Sequence, residues 1–224
     1  MKERESNVLS LLEDKTNIYA RKIALGMKTQ FGWKELTYDG LGLMSRRLAA
    51  YLMNDLGIQR GEKLAILSES KPEYGVCVFA SVISGLITVP LDIKLTKYEL
   101  QSILTDCLPS VMLVSQSYID KALELQKVIP SLKHIIVMDE HPVNENLQSI
   151  YTIPNNYTCK WRHRSRKSVV FIIYTSGTTG NPKGVETTFG NMLAQLKDLK
   201  TAFNQILPYG DVRVLSILPM NHLF

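Results

Sequence analysis

The stretch VVFIIYTSGTTGNPKGV, Val169 to Val185, joins a short apolar run to a turn rich in glycine and hydroxyl groups. Val169 to Tyr174 is continuous and β-branched, the pattern of a strand buried on both faces. After it, Gly177, Gly180 and Gly184 free the backbone to aim N–H groups outward, while Thr175, Ser176, Thr178 and Thr179 add hydroxyl donors. Lys183 supplies a point charge, and Pro182 fixes one backbone angle beside it. This inventory suits a phosphate chain. The familiar loop GxxxxGK[ST] would need glycine at 182 and serine or threonine at 184, where this chain has Pro182 and Gly184. The helix also starts late. Met192, Leu196, Leu199, Phe203 and Ile206 recur at spacings of three and four, which predicts a helix from about Phe189 capped by Thr188, with Val185 to Thr187 extended before it.

Upstream, apolar strands alternate with helical patterns. Lys22 to Lys28 and Trp33 to Tyr38 read as a hairpin, and Asp39 to Leu56 as a helix ended by Gly57. Strands are expected at Leu64 to Leu67, Ile87 to Val89, Val111 to Val114 and His134 to Met138, with helices at Thr96 to Leu104 and Tyr118 to Val128 between them. The rhythm predicts an α/β fold with a largely parallel sheet and helices on both faces. Residues 139–167 are polar and irregular and read as a surface link, and Val212 to Leu218 reads as a further buried strand. Tyr74 to Leu91 carries no charge over eighteen residues. Gly85 and Pro90 interrupt it, and Gly75, Ala80, Ser81 and Ser84 suit close packing, so a buried helix and strand are expected rather than a membrane span.

With 45% hydrophobic and 21% charged residues, the 224-residue chain has the composition of a globular domain. No apolar region follows Met1 to Glu5, which argues against a secretory signal and for a cytoplasmic protein. Cys77, Cys107 and Cys159 leave an odd count without a CxxC pair, so a disulfide scaffold is not expected. The four histidines show no i,i+4 pairing, and no metal site is assigned. Lys160, Arg162, Arg164, Arg166 and Lys167 together account for the net charge of +5. Such a run is read first as a solvated loop and second as a means of steering anions. Nucleic acid ranks last and is not expected as a partner, while Trp161 in the run leaves peripheral membrane contact open.

TSGTTGNPKG resembles the phosphate-loop signature of the adenylate-forming (AMP-binding) enzymes, the superfamily of acyl-CoA synthetases, luciferases and peptide-synthetase adenylation domains. ASVISGLITVPLD, Ala80 to Asp92, and LPMNHLF, Leu218 to Phe224, resemble two further segments of that family, so the similarity runs across most of the chain. The resemblance implies the N-terminal portion of the large adenylation domain over residues 1–224. It further implies ATP-dependent activation of a carboxylate, with pyrophosphate released and the acyl group passed to a thiol. Thr175, Ser176, Gly177, Thr178, Thr179, Gly180 and Lys183 match the family's positions for the phosphates, and Lys183 and His222 are the candidate catalytic residues, His222 by orienting the carboxylate or gating the acyl tunnel. The implied cofactors are ATP, magnesium and coenzyme A, or an acyl carrier protein as acceptor.

Thr178-Thr179 and His222 resemble the acyl-CoA and acyl-carrier-protein ligases, and PLDIKLTKYEL, Pro90 to Leu100, leans toward fatty acids. Two departures stand out. Phe189 replaces the histidine common after Val-x-x-Thr, and the family's adenine, ribose and magnesium segments and mobile C-terminal domain have no counterpart here. The implied reading is therefore a part of a longer ligase that is inactive alone. A non-enzymatic module that binds a partner or residual nucleotide is the alternative.

Overall fold

The structure, a computed structural model, describes residues 8–159, 164–175, 182–206 and 213–220. It opens with α1 (Val8–Ile18), which the sequence pattern did not announce, and continues into a hairpin of β1 (Ile23–Thr29) and β2 (Gly32–Thr37). Helix α2 (Tyr38–Asn54) follows, one residue after its N-cap Thr37, whose side chain accepts from the Gly40 amide. It ends before Gly57 rather than at it.

The main sheet takes β3 (Lys63–Leu67), β4 (Ile87–Leu91), β5 (Val111–Val114), β6 (His134–Val137), the short β7 (Gln148–Ser149), β8 (Val169–Thr175) and β9 (Lys183–Thr188). Their spatial order is β7-β6-β5-β3-β4-β8-β9. All neighbours are parallel except β8 and β9, which run antiparallel. Helix α3 (Pro72–Ser84) joins β3 to β4, and α4 (Lys97–Cys107) carries the chain back over β3 to β5. A 3-10 turn (Gln116–Tyr118) and α5 (Ile119–Gln126) lead to β6, and α6 (Phe189–Ile206) follows β9.

Strand alternation sorts the core into two layers. Leu64, Ile66, Val111, Leu113 and Ile136 pack with α2, α3 and the start of α6 on one face. Ala65, Leu67, Met112, Val114, Ile135 and Val137 pack with α4 and α5 on the other. Both faces are thus covered, which is why these strands read as unbroken apolar runs. Pro72 begins α3 where its missing N–H costs nothing, and Gly85 ends it in the left-handed region at φ 84°. Gly75 turns toward the hairpin: a Cβ there would lie 2.6 Å from the Leu25 Cδ1. No helix among the described residues is long and apolar enough to cross a membrane, and Tyr74 to Leu91 is the buried helix and strand expected.

Two expectations are corrected. Residues 213–220 form no strand, and Leu215 and Ile217 are each 84% exposed. An apolar strand needs a neighbour for its backbone and a layer over each face, and no described element supplies either to this segment. Within the basic run, Arg164 is not solvated but buried, because its guanidinium finds backbone carbonyls to bind. In the link, β7 is the regular element among the described residues of 139–167.

The hairpin is tied to the sheet through a buried carboxylate. Glu73, 1% exposed in the first turn of α3, pairs with Lys34 of β2 and accepts from the Tyr151 hydroxyl. Removing Lys34 leaves that carboxylate with the Tyr151 hydroxyl alone, and because Lys34 itself is half-buried, Lys34→Met should cost about 1–3 kcal/mol, the range for a buried group that loses a charged hydrogen-bond partner. The double variant Lys34→Met/Glu73→Gln should recover part of the loss in urea denaturation, and an undiminished loss would show that the ion pair is not what couples the two residues.

Candidate functional site

Every parallel strand ends at the same edge of the sheet, and the chain order reverses around β3: β4 lies on one side of it and β5, next in sequence, on the other. Connections that leave opposite faces of neighbouring strands open a crevice at the carboxyl edge, where ligands of α/β sheets bind. Thr175 ends β8 at that edge, exposed, and the loop that begins with Ser176 departs from there.

On the far side of the loop Lys183 does not hang free. It is the first residue of β9, exposed, and its cross-strand partner is Thr175. The antiparallel pair therefore fixes both roots of the loop across one another, with Tyr174 opposite Gly184 behind them. Gly184 is needed there: a Cβ would meet Ile172 Cγ2 at 2.8 Å and the Tyr174 ring at 3.1 Å. The Tyr174 hydroxyl in turn donates to Asp106 at the end of α4. Burial first, then this hydrogen bond and the nearby Cys107 and Asp106, holds the Tyr174 phenol far above its ordinary value. Sequence reading missed Asp106, since nothing in a helix of ordinary pattern marks one carboxylate as the partner of a strand 68 residues away.

Downstream, Thr188 caps α6 as expected. Its hydroxyl accepts from the Asn191 amide at 3.2 Å, and Asn191 Oδ1 accepts from the Thr188 amide at 3.0 Å. Phe189, the departure from the family pattern, is buried among the residues that pack under α6.

The rest of the carboxyl edge is polar and cross-braced. Lys71, after β3, pairs with Asp139 after β6 and lies 3.7 Å from Glu69. The Ser115 hydroxyl donates to Glu69 at 2.5 Å, the Gln116 amide donates to Asp139 at 2.7 Å, and the Ser149 hydroxyl donates to the Asp139 carbonyl at 2.5 Å. Loops from four strands are thus held as one rim. The Met220 amide donates to the Ser70 hydroxyl at 3.0 Å, which brings the segment leading to His222 to this same edge.

Of the predicted site residues, Thr175 and Lys183 are brought together, whereas Ser176, Gly177, Thr178, Thr179, Gly180 and His222 lie outside the described residues. Among the described residues no group of three histidine, cysteine or acidic side chains could hold a metal ion.

The family described as AMP-binding enzyme matches residues 12–224. The human long-chain-fatty-acid–CoA ligase ACSBG1 is 28% identical over 225 residues, covering 92% of this chain and 30% of that protein. A long-chain-fatty-acid–CoA ligase of Salmonella typhimurium is 28% identical over 251 residues, covering 99% of this chain and 44% of that protein. The crystal structure of the anthranilate CoA ligase AuaEII in complex with anthranoyl-AMP superposes with a TM-score of 0.71 at 28% identity, covering 85% of this chain and 36% of that one. The chain thus spans between 30% and 44% of the length of these relatives.

The Tyr174 phenol sets a pH test. A phenol held above its ordinary value of 10 in the fold keeps its full contribution below that pH and loses it as pH rises, because the unfolded chain then releases the proton first. Tyr174→Phe should therefore reduce the fall of unfolding free energy above pH 10 by about one proton's slope. An unchanged alkaline slope would contradict the burial and bonding assigned to this hydroxyl.

Proposed function

The chain belongs to the AMP-binding enzymes, and from that premise we propose that it forms the N-terminal part of an adenylation domain that activates a carboxylic acid, a fatty acid by preference, at the expense of ATP. The carboxylate oxygen attacks the α-phosphorus, the bond to the bridging oxygen breaks, and pyrophosphate leaves with the electron pair. The acyl-adenylate then passes its acyl group to the thiol of coenzyme A or of a carrier protein, and AMP departs.

The observation that carries this reading is the pairing of Thr175 with Lys183 at the carboxyl edge of the sheet. It sets a cation and a hydroxyl opposite each other at the roots of a loop whose first five residues, Ser176 to Gly180, are all glycine or hydroxyl-bearing. A carboxylate is a poor electrophile until it gains a good leaving group, and the charge that gathers on departing pyrophosphate needs donors already in place. Lys183, anchored by β9, answers that need with its ammonium. Ser176, Gly177, Thr178, Thr179 and Gly180 supply hydroxyl and backbone donors in the same loop, and His222 is assigned to the acyl side. Magnesium held with the phosphates would add to that neutralisation, and the roles given to these residues do not depend on it. The complete protein is proposed to work in the cytoplasm.

Lys183 separates this account from simple nucleotide holding. If the lysine bound phosphates equally in ground and transition states, Lys183→Ala would raise KM for ATP and spare kcat. Because charge on the β-phosphate grows as the bond breaks, the expected result is a kcat loss of about 10- to 1,000-fold in adenylation by the complete protein. Thioester formation from preformed acyl-adenylate should change far less. Equal losses in the two half-reactions, measured by pre-steady-state kinetics, would overturn the role given to Lys183.

A further inference from the structure

We propose that the tip of the hairpin β1–β2 is a membrane-docking element: Phe31 and Trp33 insert into the interface of an anionic lipid bilayer, and Lys28 beside them meets the headgroups. The two faces of the hairpin differ. Leu25, Lys34 and Leu36 turn toward the core, where Leu25 lies against Gly75 and Lys34 pairs with Glu73. On the outer face Lys28 stands across from Trp33, and Gly26 across from Glu35. Gly26 leaves a bare strip of backbone there, since a Cβ on it would lie 3.9 Å from Ile23 Cγ2 and 3.9 Å from the Trp33 ring. Ile23 and Trp33 flank that strip and are both exposed, Trp33 by 67%.

The turn itself holds an apolar ring out in solvent. The Thr29 hydroxyl donates to the Gly32 carbonyl at 2.9 Å and accepts from the Phe31 amide at 3.1 Å. Gly32 takes φ 123°, which a side chain would strain. Phe31 sits at the crest of this closed turn and is 92% exposed. A phenyl ring kept in water forgoes the gain that burial brings, and here the backbone is bonded so as to keep it there. Together with Trp33 and Ile23 it makes an apolar patch on a protruding element, the mark of a surface that meets something else.

Shape and charge select the occupant. A closed turn is convex, so it enters a soft medium readily and offers no pocket to a partner's side chains. Indole and phenyl rings suit the boundary between headgroups and acyl chains, where the indole N–H stays hydrated. The tip, KTQFGWK from Lys28 to Lys34, carries two lysines and no carboxylate. Lys34 is taken by Glu73, while Lys28 is exposed on the same face as Trp33. Charge is mixed only farther back, where Arg21 and Lys22 are exposed beside Glu35 and Asp39. Strand rise sets the depth: Phe31, two residues beyond Trp33, reaches about 7 Å deeper, within the 5–10 Å of an interfacial anchor, and Lys28 stays level with the headgroups. A single wedge of this size binds reversibly.

The full chain has two tryptophans, Trp33 and Trp161, so Trp161→Phe leaves an emission that reports on the hairpin alone. In vesicles of phosphatidylcholine and phosphatidylglycerol with brominated acyl chains, and without ATP or carboxylate, that emission is expected to be quenched. Phe31→Ser should lower the vesicle partition coefficient by about 10- to 100-fold, the loss of one buried ring. Lys28→Gln should lower it about fivefold, a difference that disappears on phosphatidylcholine alone. Both positions are exposed, so an unchanged melting temperature checks that each variant is folded. A wild-type chain that does not partition, equal partition of wild type and Phe31→Ser, or unquenched Trp33 emission on bound vesicles would overturn the proposal. The first of these results would point to a protein as the hairpin's partner, and the last two to a membrane contact elsewhere on the chain.

Discussion

A parallel sheet buried on both faces can do polar work only at the ends of its strands. Here α2, α3 and α6 cover one face and α4 and α5 the other, so the alternating residues of β3, β5 and β6 are spent on two apolar layers. Polar groups are driven to the edges, and the two edges differ in character. The carboxyl edge carries Lys71, Glu69, Asp139 and Ser115 in a braced rim, and β8 ends at the same edge. The amino edge carries two guanidinium groups at the end of α3. Reversal of chain order around β3 places the loop of β8 on the edge where a crevice opens.

The antiparallel pairing of β8 with β9 has a specific consequence. A parallel neighbour to β8 would need a long crossover and would place its own start at the far edge. An antiparallel β9 instead returns directly, so that Lys183 stands across from Thr175. Tyr174, pressed on Gly184 and bonded to Asp106, ties this return to α4. The loop is therefore short and held at both roots by the sheet, in contrast to phosphate loops that open straight into a helix.

Much of this was legible in the sequence because period and punctuation agreed. Val111 to Val114 and the helix begun after Thr188 were read at their observed bounds, since β-branched runs, caps and spacing pointed one way. Legibility failed where tertiary context decides. The apolar run at 212–218 looks like a buried strand, but burial requires layers that a pattern cannot supply, and its described part is exposed. Arg164 sits in a run of cations that reads as solvated, and only the fold shows that the end of α3 offers it three carbonyls and the start of β8 a fourth. Asp106 and Glu73 belong to the same class, being single carboxylates whose partners are remote in sequence. In the candidate site, the family resemblance pointed to Thr175 and Lys183, while their cross-strand pairing came from the structure.

The central claim is that the loop between β8 and β9 serves a reaction in which a carboxylate displaces pyrophosphate from ATP. The direct measurement is exchange of labelled pyrophosphate into ATP by the complete protein, across a panel of carboxylic acids from acetate to long-chain fatty acids. The account predicts exchange that requires a carboxylate and is strongest with the fatty acids. Exchange independent of any carboxylate, or release of inorganic phosphate and ADP in its place, would contradict it.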